Sequence, residues 1–300
     1  MFDLSKLGLT CGAAALAASA LVASPAAAQE AAPAINNGAV SFSLGVDVPT
    51  KYIFRGYELQ EDGLIVQPYV EASFSVYEDV DFYVGLWNSL HSDDVFEGAS
   101  GGLIEESNND GWFESDFYAG VSLGMFDPIS IDISYVGYYY PSTTNDVIGD
   151  YREIDIAVAY DDSDLWGGDF TLSPYALIAF EVDTNGEGDD ENIYLEFGAE
   201  TGFTVFESED YPIDLTVPVT IGLSLDEFYV DDDGDNEFFG FISIGANFGM
   251  PLTFIPAEYG AWSAGAGLTL FILNDNAAGL EDGDSEEFNI VGTVGIALEY

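Results

Sequence analysis

Apolar and polar residues alternate with a period of two along twelve stretches of this chain, and after the first 28 residues no helical period is sustained. Val40, Phe42, Leu44, Val46 and Val48 alternate with Ser41, Ser43, Gly45 and Asp47. Ile213, Leu215, Val217, Val219, Ile221 and Leu223 alternate with Asp214, Thr216, Pro218, Thr220 and Gly222. The runs predict strands over 39–55, 64–76, 81–90, 112–125, 129–140, 151–160, 169–182, 191–206, 212–225, 237–249, 259–273 and 286–300. Most exceed the roughly 9–11 residues that a tilted strand needs to cross a bilayer. Connections alternate between tight ones, such as 77–80 and 126–128, and longer ones, such as 91–111 and 141–150. Short periplasmic turns alternating with longer external loops, with an even strand count, predict an all-β fold: a transmembrane antiparallel up-and-down β-barrel of about 12 strands.

Hydrocarbon cannot satisfy backbone N–H and C=O groups, so a sheet that spans a membrane must close on itself. A secreted β-sandwich also alternates, but it needs a polar outside and a shared apolar core. Here the polar face is rich in Gly, Ser, Thr, Tyr and carboxylates, which suits water inside a tube. The N-terminus supports export. Lys6, the apolar run 7–22, the break at Ser24-Pro25 and Ala26-Ala27-Ala28 before Gln29 form a secretory signal, with cleavage expected after Ala28. The expected organisation is a signal peptide at 1–28, a linker at 29–38 and an outer-membrane barrel at 39–300. Localisation follows as the outer membrane of a Gram-negative envelope.

Charge removes many function classes. The chain has 55 Asp plus Glu against 4 Lys plus Arg, a formal net charge of −51. Disorder is excluded because 48% of residues are hydrophobic and 15% aromatic. Nucleic-acid binding is excluded for want of a basic patch. One Cys and one His leave neither a disulfide framework nor a zinc cluster, and no cofactor is expected. Signal cleavage removes Asp3 and Lys6 together, leaving Lys51, Arg55 and Arg152 as the only bases.

The last strand puts Phe288, Ile290, Val294, Ile296, Leu298 and Tyr300 on one face and ends on an aromatic residue. It resembles the C-terminal signature of outer-membrane proteins, which implies the barrel assembly machinery as a partner. Outer-membrane lipid and small solutes are the other expected partners. Aromatics near strand ends suggest interfacial girdles, with Trp112, Phe113 and Tyr138-Tyr139-Tyr140 outside and Tyr77, Phe126, Phe206 and Tyr211 on the periplasmic side. The segment Tyr52-Ile53-Phe54-Arg55-Gly56, followed by Gln67-Pro68 and Gly85-Leu86-Trp87-Asn88-Ser89, is similar to the start of the TorF-type putative porins. In that family Tyr-x-Phe-Arg-Gly ends the first strand. The resemblance covers about residues 40 to 90 and implies a single-chain porin-like barrel.

Three groups of residues are candidates for chemistry. His91-Ser92-Asp93-Asp94 brings a His, a Ser and carboxylates together, but sequence neighbours do not form a triad without folding back. The lumen-facing parity of His91 also argues against a lipid hydrolase, so no enzyme is expected. Asp183, Asn185 and Glu187, and Asp231, Asp233 and Asp235, resemble calcium loops, yet Tyr194 stands where the first would need its bidentate Glu, and the second has no Gly at position six. No closed metal site is expected there. The informative surface is the polar face. Asp47, Lys51, Arg55, Glu71, Glu114, Asp116, Asp132, Asp155, Glu196, Glu200 and Asp214 are the pore-lining candidates, with Val70, Phe117, Ile133 and Leu215 facing lipid. A ring of carboxylates in a water-filled tube attracts cations. The expected function is a narrow, cation-preferring diffusion channel. The alternative is a non-conducting structural or surface-interaction barrel whose acidic loops bind divalent cations or envelope polymers. Arg55 is expected either to be a structural tie from the first hairpin to the opposite wall, paired with Asp47, Glu287 or Asp116, or to form with Lys51 a constriction that faces Glu114, Asp116 and Asp155 across the pore.

Overall fold

Strands that alternate this regularly have one apolar face, and here that face is turned outward. The computed structural model describes residues 39–92, 111–141, 151–166, 170–182, 192–208, 210–231, 234–274 and 287–300. The predicted signal peptide and linker lie outside them. Twelve strands close one barrel: β1 (Val40–Pro49), β4 (Ile65–Tyr77), β5 (Val80–His91), β6 (Trp112–Phe126), β7 (Ile129–Tyr139), β8 (Tyr151–Tyr160), β9 (Tyr175–Glu181), β10 (Ile193–Phe206), β11 (Ile213–Asp226), β12 (Phe239–Pro251), β13 (Ala261–Leu273) and β14 (Phe288–Glu299). Each pairs antiparallel with its neighbours. First and last strands seal the seam with Val46 opposite Ile296, and Phe42 and Tyr300 exchange both backbone hydrogen bonds at 2.8 and 2.9 Å. Both strand termini therefore lie at one end of the barrel, the terminal end. Most of the longer connections lie at the other, the loop end, the exception being 161–174 between β8 and β9 at the terminal end.

Parity is as the alternation predicts. Val70, Phe117 and Ile133 are exposed on the outer wall, while Glu71, Asp116 and Asp132 are buried inside. Leu215 and Asp214 are both half-buried, near the terminal end of β11. Phe288, Ile290, Val294 and Ile296 are exposed on the outer face of β14. Glycines on the inner face have a packing role. A Cβ on Gly120 would strike the ring of Tyr83, and one on Gly240 the ring of Tyr229, so these glycines let rings from elsewhere lie flat across the wall.

Three expectations need correction. The first predicted strand, 39–55, stops at Pro49. Residues Tyr52–Phe54 (β2) and Tyr57–Gln60 (β3) pair only with each other, as a hairpin separate from the barrel sheet. The predicted strand 169–182 is ordered as β only over Tyr175–Glu181. Ahead of it the Asp162 carboxylate accepts hydrogen bonds from the backbone N–H groups of Leu172 and Ser173 and from Trp166 Nε1, which holds the segment in a turn. The aromatic girdle at the loop end is also thinner than predicted. Trp112 and Tyr139 are exposed there, but Phe113 and Tyr138 point inward and are buried. Tyr77, Phe126, Phe206 and Tyr211 are exposed at the terminal end, as expected.

Candidate functional site

The β2–β3 hairpin fills the loop-end half of the lumen. Its turn is Arg55-Gly56, with φ of 47° and 87°. Two positive φ values in a two-residue loop are the mark of a type I′ turn, whose twist matches that of the strands it joins. Tyr52 and Leu59 pack into one aromatic cluster with Ile65, Tyr83, Trp87, Phe113, Tyr118 and Tyr138. Ile53, on the other face, packs into a second with Leu177, Tyr194, Tyr229, Phe241 and Phe271. Alternation within the hairpin thus gives each of its faces a wall to bury against. Phe228 and Tyr229, from the segment between β11 and β12, close the packing, and the Tyr229 hydroxyl donates to the Arg55 carbonyl at 2.7 Å.

Arg55 is fully buried and reaches the opposite wall. Its Nη1 donates to Glu153 Oε1 at 2.6 Å, and Nη2 lies 3.8 Å from Asp155 Oδ2. The guanidinium sits 4.3 Å from the centroid of the Tyr194 ring. Glu153 is itself fixed by the hydroxyls of Tyr138 and Tyr151, at 3.0 and 2.6 Å. The expected partners Asp47, Glu287 and Asp116 are not the ones Arg55 meets, because the residue stands on the hairpin tip and not on the wall of β1. Lys51 is likewise off the wall. Its Nζ bonds Glu58 at 2.9 Å, Asn289 at 2.7 Å and Glu61 at 3.3 Å, which ties the hairpin to β14. Partial burial works against the Lys51 charge, but Glu58 and Glu61 outweigh it and its pKa is raised. Burial also pushes the Glu58 carboxyl up, in spite of the Lys51 contact.

The remaining predicted carboxylates differ in their surroundings. Tyrosine hydroxyls cap most of the buried ones. Tyr52 donates to Glu114 at 2.8 Å, Tyr83 to Asp132 at 2.6 Å, and Tyr175 and Tyr194 both donate to Glu196. Periodicity gave the face of these acids; the signal for their partners is the set of tyrosines that shares that face, Tyr83, Tyr118, Tyr138 and Tyr194 among the 18 of the chain. Asp116 is different. It has no exposed surface, and neither carboxylate oxygen has a hydrogen-bond partner among the described residues. Asp47 and Glu71 are buried inside the wall, whereas Glu200 and Asp214 lie half-buried toward the terminal end. Functional residues that sequence reasoning missed are Glu153, Tyr138, Tyr151 and Tyr194, the groups that receive Arg55.

His91 is buried, stacks on Phe113 with ring centroids 4.6 Å apart, and meets Ser89 Oγ at 2.8 Å through Nε2. Ser92 instead accepts from the Leu64 backbone N–H at 2.8 Å. The His91 Nδ1 has no partner among the described residues, so no acid orients the ring there. Asp93 and Asp94 lie outside the described residues, as do Asp183, Asn185, Glu187 and Asp233. Asp231 turns its carboxylate back onto the Asp235 backbone N–H at 2.9 Å. Among the described residues no group of three or more His, Cys, Asp or Glu side chains is arranged to hold a metal ion.

A family model described as "Bacterial protein of unknown function (Gcw_chp)" matches residues 33–255, more than half of the chain. No curated protein matches. Among solved structures, an outer membrane channel from Pseudomonas putida F1 is similar at 8% identity, covering 87% of this chain and 95% of that one, with a TM-score of 0.48. LpxR from Salmonella typhimurium is similar at 8% identity over 85% of this chain and 99% of that one, with a TM-score of 0.45. The NanC porin is similar at 7% identity over 85% and 98%, with a TM-score of 0.43.

Proposed function

The chain therefore belongs to the Gcw_chp family, described as bacterial protein of unknown function, and for this member we propose an outer-membrane channel that passes small, preferentially cationic solutes. The single observation that carries this reading is the inversion of polarity across the barrel wall. Large apolar side chains such as Leu86, Phe117, Ile133, Ile244 and Ile290 are exposed outside, and carboxylates line the inside. An apolar exterior belongs in hydrocarbon, and low-dielectric walls focus the field of interior charges onto whatever passes. The terminal end faces the periplasm in this reading, and the exposed Tyr300 belongs to the strand offered to the assembly machinery. The likeness to TorF-type porins belongs to the same proposal, with Tyr52–Gly56 now understood as the first strand and tip of the lumen hairpin.

A non-conducting structural barrel is the second reading, favoured by the packing of Tyr52, Ile53 and Leu59 against both walls. Reversal potentials across a planar bilayer separate the two. Under a potassium chloride gradient the channel reading expects potassium to be preferred. That preference weakens as salt rises, since the Debye length falls from about 10 Å at 0.1 M to about 3 Å at 1 M. Anion preference sinks the cationic reading, and a silent bilayer transfers support to the structural barrel.

A further inference from the structure

Arg55 is bound the way a ligand is bound. The groups that receive it come from the barrel wall, with Glu153 and Asp155 on β8 and Tyr194 on β10. The Tyr138 and Tyr151 hydroxyls hold Glu153 independently of the hairpin. Arg55 itself arrives on a separate element, at the tip of a turn where its φ of 47° suits Asn or Gly better. A side chain carried at that conformational cost is there for what it reaches. The guanidinium fork is also only half used. Nη2 makes no hydrogen bond, and neither do the two oxygens of Asp155 beside it.

The surroundings favour a further cation over the loss of one. Glu114, Asp116, Glu153, Asp155 and Glu196 are all buried in the barrel, and Arg55 is the one fully buried base among the described residues. Asp116, unpartnered and without exposed surface, is the largest uncompensated demand. A planar fork that bonds two carboxylates and stacks on an aromatic ring is a guanidinium function that an ammonium cannot reproduce.

We propose that Glu153, Asp155 and Tyr194 form a recognition site for a guanidinium-bearing solute, and that Arg55 occupies it as a tethered stand-in which the solute displaces. Passage of that solute rests on the channel reading above; binding to the cradle does not. The tether sets how hard displacement is, because a side chain held on a short loop acts at an effective concentration on the order of mM.

Calorimetric titration of the folded, detergent-solubilised full chain with methylguanidinium and with methylammonium is the test. The Arg55→Ala protein is expected to bind methylguanidinium at least about tenfold more tightly than the unaltered protein, since the competing tether is gone. Methylammonium is expected to bind at least about tenfold more weakly than methylguanidinium, and adding Glu153→Gln to Arg55→Ala should abolish binding. Equal affinity of the unaltered and Arg55→Ala proteins, no binding to folded Arg55→Ala, or equal affinity for the two cations overturns the proposal. Should Arg55→Ala fail to fold, Arg55→Lys keeps a charge and loses the fork. Methylguanidinium is then expected to bind Arg55→Lys more tightly than the unaltered protein, and equal affinities overturn the proposal. No arm reads conductance, so a silent bilayer with intact binding removes the channel alone, and a conducting barrel without binding removes the cradle alone.

Discussion

The two halves of the barrel interior are built from the same alternating strands and filled in opposite ways. At the loop end, buried rings of Trp87, Phe113, Tyr138, Tyr194, Tyr229 and Phe241 surround the hairpin; hydroxyls or Arg55 hydrogen-bond Glu114, Glu153 and Glu196, while Asp155 has only its 3.8 Å ion pair with Arg55 and Asp116 has no hydrogen-bond partner among the described residues. At the terminal end the inner face carries Ser75, Ser122, Glu200, Thr204, Asp214 and Asn247, none of them buried. There, contacts such as Thr204 to Asp214 and Ser75 to Asp81 are exposed to water. The difference shows that the inward face of a barrel strand is not one environment. A carboxylate needs a partner where a plug excludes water, and needs none where water reaches it.

Breaking a buried pair at the loop end should cost most. Arg55→Gln leaves Glu153 and Asp155 without their cation inside a packed region, and removal of one partner from a buried ion pair typically costs about 3–5 kcal/mol. Urea unfolding in lipid vesicles checks this, and a loss below about 1 kcal/mol would mean that the loop end is wetter than its burial implies.

A substitution on the outer wall comes next and is independent of either half. Ile244 is exposed near the middle of β12, a sharper position than Leu215, which lies close to the terminal end. With the outer wall in hydrocarbon, as proposed, Ile244→Lys costs about 2–4 kcal/mol. Folding yield into vesicles should fall accordingly, and an unchanged yield would undo the assignment of faces on which the comparison depends.

Asp162 extends the comparison to the turn at the terminal end. Burial works against its charge, but hydrogen bonds from Trp166 and from the Leu172 and Ser173 backbone outweigh it and lower the pKa. A lowered folded pKa gives stability that is fully present above the unfolded value of about 3.9. That stability is lost as pH falls through the folded value. The protein should therefore lose part of its stability as the pH falls below the unfolded value of about 3.9, and Asp162→Ala, at a cost of about 1–3 kcal/mol, should lack that part of the pH dependence. Parallel pH curves for the two proteins would show that the carboxylate does not hold the turn.

The smallest effect belongs to the water-reached acids. Glu200→Gln should change stability by less than about 1 kcal/mol, because the half-buried side chain keeps access to water. A loss comparable with that of Arg55→Gln would erase the distinction between the halves.

Much of the fold is legible in the residues because a period of two reports strands directly, and closure follows from the outward apolar face of β4, β6 and β14. The hairpin is harder to see. Tyr52-Ile53-Phe54 continues the apolar character of β1, so the run reads as one strand to 55 even though Pro49 and Thr50 interrupt it. The signal that reveals the turn is Arg55-Gly56 flanked by the short runs 52–54 and 57–60, a pattern that usually carries Asn or Asp before the Gly. Parity likewise places Asp116, Asp132 and Glu196 on the inner face, but a partner across the barrel depends on closure and register, which no local pattern encodes. The pairing of Arg55 with Glu153 joins residues 98 positions apart.

The β2–β3 hairpin fills the loop-end half of the lumen, so in the proposed channel it sets the width of the path for cations. β1 and β4 are direct neighbours, with Asp47 opposite Gln67, so a short Gly/Ser link can replace Tyr52–Gln60 without parting the strands. Single-channel conductance of the linked and unaltered proteins in potassium chloride measures that width. A several-fold rise in conductance is expected on removal of the hairpin, with potassium still preferred; unchanged conductance, or a preference for chloride, would rule this path out.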